Sequence, residues 1–559
     1  MRPKLIVSPA HCSERDAGDA STLWRELTRF EIAGLIESMT DSKFSLAMTN
    51  GYAFDGVTLL LGAPLHEGVV AAGACVCVPL AMMNRHGLIA GATGTGKTKT
   101  LQLLAGQLSE SGVPVFLADL KGDLSGLAAP GVPNTKIEER SKAIGVPFAP
   151  ASYPVEFLSL TGENGVQLRA TVSSFGPLLL SRALGLNETQ QSVLSLVFKF
   201  CDDKGLLLLD LPDLKAVLQH LTGDGAAALA EYGGMSKATV GVLLRKMVEL
   251  ELQGAGRFFG EPEFEVEDLL RTDPSGKGIV SALELSGVQD RPALFSTFLM
   301  WLLASLYREL PEVGDLDKPK LVFFFDEAHL LFEGATKPFL EQVEQVVRLV
   351  RSKGVGVFFV TQTPKDVPAD VLAQLGHRVQ HALRAFTPDD EKALRATANT
   401  FPRSEFYDIA KTLTSLGIGE ALVTVLTPRG VPSPVVATLL APPSSLMAPI
   451  PATELASRVA RSPLSAAYAT AVDRESARET LAARTSGPAG SDATSTAPDR
   501  GAAPRRSRKV APAEPTVADQ VGKALNSPLA RTVAGSLVRG LFGVLGVPTT
   551  ARRRRRRLL

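Results

Sequence analysis

Four cysteines in 559 residues, Cys12, Cys75, Cys77 and Cys201, form no CxxC pair. That scarcity excludes a disulfide-built scaffold or a zinc ribbon and fits reduced thiols in a cytoplasmic protein. The first residues lack the basic-then-apolar layout of a signal peptide. Long hydrophobic runs are also missing. The longest, Val69 to Met83, is broken by Pro79 and falls short of the roughly 18 residues a membrane helix needs. Net charge is only +1, and no basic module interleaved with aromatics marks a nucleic-acid domain in the body. The near-neutral total conceals an asymmetry, because from Gly501 onward thirteen Lys/Arg face two Asp/Glu. A mildly acidic body therefore carries a basic tail, and any constitutive polyanion contact is expected there.

What is present is a phosphate-binding loop. Gly91-Ala92-Thr93-Gly94-Thr95-Gly96-Lys97-Thr98 is G-x-x-x-x-G-K-T, in which glycines let successive backbone N–H groups turn inward on phosphates. Lys97 supplies a point charge to the phosphates. Thr98 opens a helix and offers its hydroxyl to Mg²⁺, while the helix N-terminus adds partial positive charge. Gly87-Leu88-Ile89-Ala90 reads as the buried strand before the loop, and the residues from Lys99 as the helix after it. The nucleotide contacts predicted are Gly91 through Lys99.

The second informative stretch is Lys320-Leu-Val-Phe-Phe-Phe-Asp326-Glu327. A continuous apolar run ending in two acids describes a central parallel strand with carboxylates at its tip. Asp326 is placed to hold the Mg²⁺ shell and Glu327 to activate water. A third strand, Gly356 to Thr361, ends in Gln362, a candidate γ-phosphate sensor or water-orienting group. The strand Val113 to Asp119 ends in Asp119, Lys121 and Asp123, which face either a ligand at the carboxyl edge of the sheet or solvent.

The predicted organisation is a poorly defined extension over 1–50 and a small β-rich lead-in over 51–80. An α/β core follows over 81–166 and 271–440, interrupted by a helical insertion over 167–270. Residues 441–515, rich in Pro, Ala and Ser, read as a linker with transient helix. Residues 516–559 form an amphipathic basic tail closed by Arg552–Arg557. Those arginines suit nucleic acid, an anionic membrane surface or solubility alone.

Several motifs together resemble a known family. They are Asn84-Arg85-His86-Gly87 running into the glycine loop, Ala118-Asp-Leu-Lys-Gly-Asp-Leu, the Asp326-Glu327-Ala-His stretch, Val347-Arg-Leu-Val-Arg-Ser-Lys-Gly and Val379-Gln-His-Ala-Leu-Arg. They look like the YjgR-type, HerA-like ATPases of the HerA/FtsK branch of P-loop NTPases. The resemblance covers roughly residues 59–434. It implies a RecA-like core of the additional-strand type, ATP and Mg²⁺ as ligands, and Glu327 as catalytic glutamate. It also implies a ring, usually a hexamer, that translocates double-stranded DNA. Ring motors complete the site with an arginine from a neighbour. Arg351 is the first candidate, since Arg-x-x-Gly before the sensor strand resembles the interface region of FtsK-like motors, with Arg348 and Arg384 as alternatives. A nucleotide-gated scaffold with slow turnover and no DNA track is the competing reading.

Overall fold

The computed structural model describes residues 43–71, 73–332 and 337–485. The first 42 residues and the amphipathic basic tail with Arg552–Arg557 lie outside them. The strands are β1 (Thr58–His66), β2 (Val69–Val70), β3 (Val76–Pro79), β4 (Gly87–Ala90), β5 (Val115–Asp119), β6 (Val155–Ser159) and β7 (Val166–Gln167). The rest are β8 (Val280–Glu284), β9 (Leu321–Phe325), β10 (Val355–Thr361), β11 (His377–His381), β12 (Glu420–Thr424) and β13 (Val436–Leu440). They form one sheet in the order β2-β1-β13-β12-β11-β4-β10-β9-β5-β8-β6-β7, with β3 also on β1. From β11 to β7 every pairing is parallel, and from β11 back to β2 every pairing is antiparallel.

Continuous apolar runs make the central strands because helices and loops cover both faces. All residues of β9 and β10 are buried. Successive side chains alternate in direction, so Phe323 and Phe325 enter one core while Val322 and Phe324 enter the other. In β10, Val355, Val357 and Phe359 join the first core, and Phe358 and Val360 the second. β10 therefore sits between β4, which carries the glycine loop, and β9, which carries the acids. That inserted strand is the arrangement of a RecA-like, additional-strand P-loop core.

Three predicted boundaries are revised. Residues 43–51 form a helix that buries Phe44 and Met48, so a packed element lies inside the expected extension. The β-rich lead-in is no separate unit, since β1 pairs with β13 and extends the main sheet. The helical insertion, with helices Val172–Ala183, Glu188–Lys204, Leu211–Thr222 and Lys237–Leu250, lacks a core of its own. Leu194, Val197, Leu214 and Leu243 share a core with Phe323 and Phe325, bridged by helix Pro292–Glu309.

The expected linker is also corrected over its described part. Residues 441–485 carry helices Ala452–Arg461, Pro463–Tyr468 and Ala477–Thr485. Leu464, Tyr468, Ala477 and Leu481 are buried in the large core, and Ile450 packs near Phe157 and Ala282. Tyr468 Oη donates to Asp268 Oδ2 at 2.6 Å, and Arg169 Nη1 donates to the Tyr468 carbonyl at 2.6 Å. Composition misled here because alanine is a strong helix former and a few large anchors suffice when the receiving surface already exists.

Candidate active site

β4 ends at the glycine loop, and the helix Lys97–Glu110 leaves it. Leu101, Leu104, Ala105 and Leu108 face the core at helical spacing, which pins the helix while leaving its first turn at the loop. Gly96, at the N-cap, has φ +114°, a left-handed value that favours glycine. Gly91 tolerates no side chain, because a Cβ there would lie 2.4 Å from His381 Cβ. Its N–H is shared between the carbonyls of Thr361 and Gln362, both at 3.2 Å, which ties the loop to the end of β10.

Lys97 is buried and its Nζ donates to the carbonyls of Gly91 at 2.7 Å and Ala92 at 3.3 Å. Burial pushes its pKa down, opposed by the charge of Glu327. Thr95 Oγ1 closes the loop on the Ala92 carbonyl at 2.7 Å. Thr93 and Gly94 form the exposed tip, and Thr98 follows Lys97 in the first helical turn. Lys99 departs from expectation. Its Nζ bonds Gln102 Oε1 at 3.2 Å and the Met447 carbonyl, so its side chain serves the 441–485 segment rather than the loop.

At the tip of β9, Asp326 and Glu327 are both buried. Asp326 Oδ1 accepts from the Glu327 N–H at 3.0 Å, whereas Oδ2 is buried without a hydrogen-bond partner. Burial, reinforced by the neighbouring Glu327 charge, pushes Asp326 up to about 7. A free, buried carboxylate oxygen beside a phosphate loop fits a hard divalent cation, which binds oxygen ligands and favours the charged form. Glu327 holds φ +46°, a left-handed conformation that a side-chain-bearing residue adopts at about 1–3 kcal/mol. The turn is held by Ala328 N–H on the Val360 carbonyl at 2.8 Å and Leu330 N–H on the Glu327 carbonyl at 2.9 Å.

The β5 tip completes the cluster and resolves the two readings left open for it. Asp119 is structural: Oδ1 accepts from the N–H groups of Lys121, Gly122 and Asp123, and Oδ2 from Leu124 at 2.8 Å. Burial raises it to about 6 against those donors. Lys121, by contrast, reaches across to β9 and pairs with Glu327 Oε1. Burial alone would raise Glu327, but Lys121 overrides that and draws its pKa below the ordinary value. His329 Nδ1 lies 3.3 Å from Glu327 Oε2 without hydrogen-bond alignment.

His381, at the end of β11, has a role that motif reading missed. Its Nδ1 lies 3.1 Å from the Thr95 carbonyl and its Nε2 2.9 Å from Thr100 Oγ1. Because a carbonyl only accepts, Nδ1 carries the proton and Nε2 accepts from Thr100. Burial, then the Lys97 charge, lowers its pKa to about 4, so a neutral ring braces the loop. The strand itself, His377-Arg-Val-Gln-His381, is mostly polar and gave no local signal that singled this histidine out.

Gln362 is exposed at the end of β10 beside the loop. Thr361 Oγ1 and the Thr363 N–H both donate to Asp366 Oδ2, which stiffens this turn. The three arginines separate clearly. Arg351 is exposed in the turn preceding β10, at the end of that strand remote from Gly91, about 20 Å away at the usual strand rise. Arg348 is held by Glu344 at 2.6 Å. Arg384 is exposed just after β11, at the loop end of the sheet.

Residues 68–554 match the model of the helicase HerA-like C-terminal family. The chain belongs to that family. This HerA-like chain is 22% identical over 354 residues to the DNA double-strand break repair helicase HerA of Sulfolobus acidocaldarius, covering 62% of this chain and 64% of that one. It is 29% identical over 154 residues to a probable helicase of Methanocaldococcus jannaschii, 26% of this chain and 28% of that one. It thus spans less than two thirds of the length of these curated relatives. Among solved structures, the plasmid coupling protein TrwB with a non-hydrolysable ATP analogue superposes with TM-score 0.48 at 16% identity, covering 71% of this chain and 98% of that one. VirB4 of Thermoanaerobacter pseudethanolicus gives TM-score 0.42 at 15% identity, with 69% and 97% covered. Among the described residues no helix is long and apolar enough to cross a membrane.

Proposed function

We propose that the chain hydrolyses ATP at this site and works as a motor of the HerA/FtsK class. One observation carries the reading: β10 brings the Lys97 loop on β4 and the Asp326–Glu327 pair on β9 to the same sheet end. Lys97 and the loop amides beyond Ala92 hold the β- and γ-phosphates. Thr98 and Asp326 would hold Mg²⁺, which supplies positive charge to the phosphates. Glu327 takes a proton from water as its oxygen bonds the γ-phosphorus, the β–γ bridging bond breaks, and ADP leaves with the electron pair. Gln362, at the exposed end of β10, orients that water or senses the γ-phosphate.

Arg351 acts in a neighbouring subunit, because its own site lies at the other end of the strand, with Arg348 and Arg384 as alternatives. The assembly is a homo-oligomeric ring, a hexamer by family resemblance, acting in the cytoplasm on double-stranded DNA. HerA in Sulfolobus is named as a DNA repair helicase, which supports the DNA track.

The test is Glu327→Gln. The variant binds ATP with the affinity of the parent and loses turnover by two orders of magnitude or more, about 10²–10⁴ for a general base. Hydrolysis at the parental rate refutes the assignment. Measuring rate and native mass with and without duplex DNA separates a motor, which accelerates, from a scaffold, which does not.

A further inference from the structure

We propose that Lys121 restrains Glu327, so that turnover waits on the opening of this pair. The inference rests on the reading of Glu327 as the base and adds a control that the reading does not contain.

A general base needs an unshared lone pair facing the water it deprotonates. Glu327 Oε1 is taken by the Lys121 ammonium, while Oε2 is buried without a hydrogen-bond partner, 3.3 Å from His329 Nδ1 and turned away from solvent. Neither partner's backbone can drift away freely. Glu327 is fixed by its left-handed backbone, by its N–H on Asp326 Oδ1, and by the Ala328 N–H on Val360. The Lys121 backbone is fixed by the Asp119 carboxylate, which receives four consecutive backbone N–H groups of the turn, its own among them. β5 and β9 are hydrogen-bonded neighbours with Ala118 opposite Phe325, so sheet register sets the two backbones facing each other, and the half-exposed Lys121 side chain is the part that swings away when the pair opens.

The two ends differ in access. The Glu327 side chain is 7% exposed and that of Lys121 46%, so the pair is approachable only from the lysine. An ordinary surface ion pair contributes little and forms anywhere charges meet. This one instead occupies one of the two oxygens of the carboxylate read as the base. Lys121 is therefore a positioning residue acting through Glu327, and its loss frees the base rather than removing a substrate contact.

Lys121→Met and Lys121→Arg in the full chain test this, with kcat and KM for MgATP measured beside affinity for a fluorescent ATP analogue. Lys121→Met is expected to raise kcat severalfold with KM and affinity within about twofold of the parent. Lys121→Arg, which keeps a cation on the carboxylate, gives a smaller rise. A fall in kcat overturns the proposal by making Lys121 an assistant to the phosphoryl group, and an unchanged kcat overturns it by making the pair structural. The double variant Lys121→Met/Glu327→Gln separates the two readings. It must return to the level of Glu327→Gln alone; if it keeps the raised turnover, Glu327 is not the base and the functional assignment fails instead.

Discussion

Replacing His381 with alanine removes a ring that touches no phosphate yet braces the loop that does. The side chain makes two polar contacts in a dry environment, 3.1 Å to the Thr95 carbonyl and 2.9 Å to Thr100 Oγ1. Each such bond contributes about 0.5–1.5 kcal/mol net. Thr95 keeps its carbonyl bond from the Gly419 N–H at 2.9 Å, and Thr100 Oγ1 retains only a long 3.4 Å contact to the Gly96 carbonyl. The loss is therefore about 2 kcal/mol, concentrated on the loop because both partners belong to it or to the first turn of its helix. If that energy holds the phosphate-ready conformation, the competent fraction drops and the apparent Kd for ATP rises by up to about 30-fold. His381→Asn places an amide donor near the Nδ1 position, keeps the Thr95 bond and gives a smaller rise. Titrating a fluorescent ATP analogue by anisotropy, with melting curves as the control for folding, measures both variants. Affinity within about twofold of the parent in His381→Ala, with unchanged melting, refutes the bracing role.

Two more predictions concern stability. Leu464→Ala, in the segment first read as linker, lowers unfolding free energy by about 2–5 kcal/mol, measured by urea denaturation; an unchanged midpoint would mean that 441–485 does not dock on the core. The buried imidazoles give a pH dependence. Burial lowers His377 to about 4, and its Nε2 lies 2.8 Å from the Met82 carbonyl. The unfolded chain takes up the proton first as pH falls below about 6.5, so stability is full above that value and declines by about 3 kcal/mol as pH approaches 4. His377→Gln flattens the slope of unfolding free energy between pH 7 and 5 relative to the parent, and equal slopes count against the buried neutral ring.

The parts of the site that were legible in the chain are those whose chemistry is local. Glycine spacing dictates a phosphate loop wherever it lies, and Lys97 and Thr98 come with it by adjacency. The apolar run into Asp326–Glu327 announces both a central strand and acids at its tip, since only a strand covered on two faces can be that hydrophobic. Strands β4, β5, β8, β9, β10 and β12 were legible for the same reason, and β11 from its alternation with the helices around it. β6, β7 and β13 were not: β7 has only two residues, and β6 and β13 are five-residue runs with no motif at their ends. The direction of the Lys99 side chain was not legible, because adjacency to the loop says nothing about where a long side chain goes. Its partner, the Met447 carbonyl, belongs to a segment whose composition gave no sign of folding.

Sequence alone thus determined that this chain carries a P-loop, an acidic pair at the end of a central strand, a glutamine-tipped strand and a strongly basic C-terminal tail. These follow from side-chain chemistry and near-neighbour spacing. Tertiary structure decided which of them meet. Strand order places β10 between β4 and β9, the register of β5 on β9 delivers Lys121 to Glu327, and parallel pairing of β11 with β4 puts His381 under the loop. Each is a contact between residues far apart in the chain, set by hydrogen-bonded register and two-sided burial. Neither of those is written in any local pattern of residues.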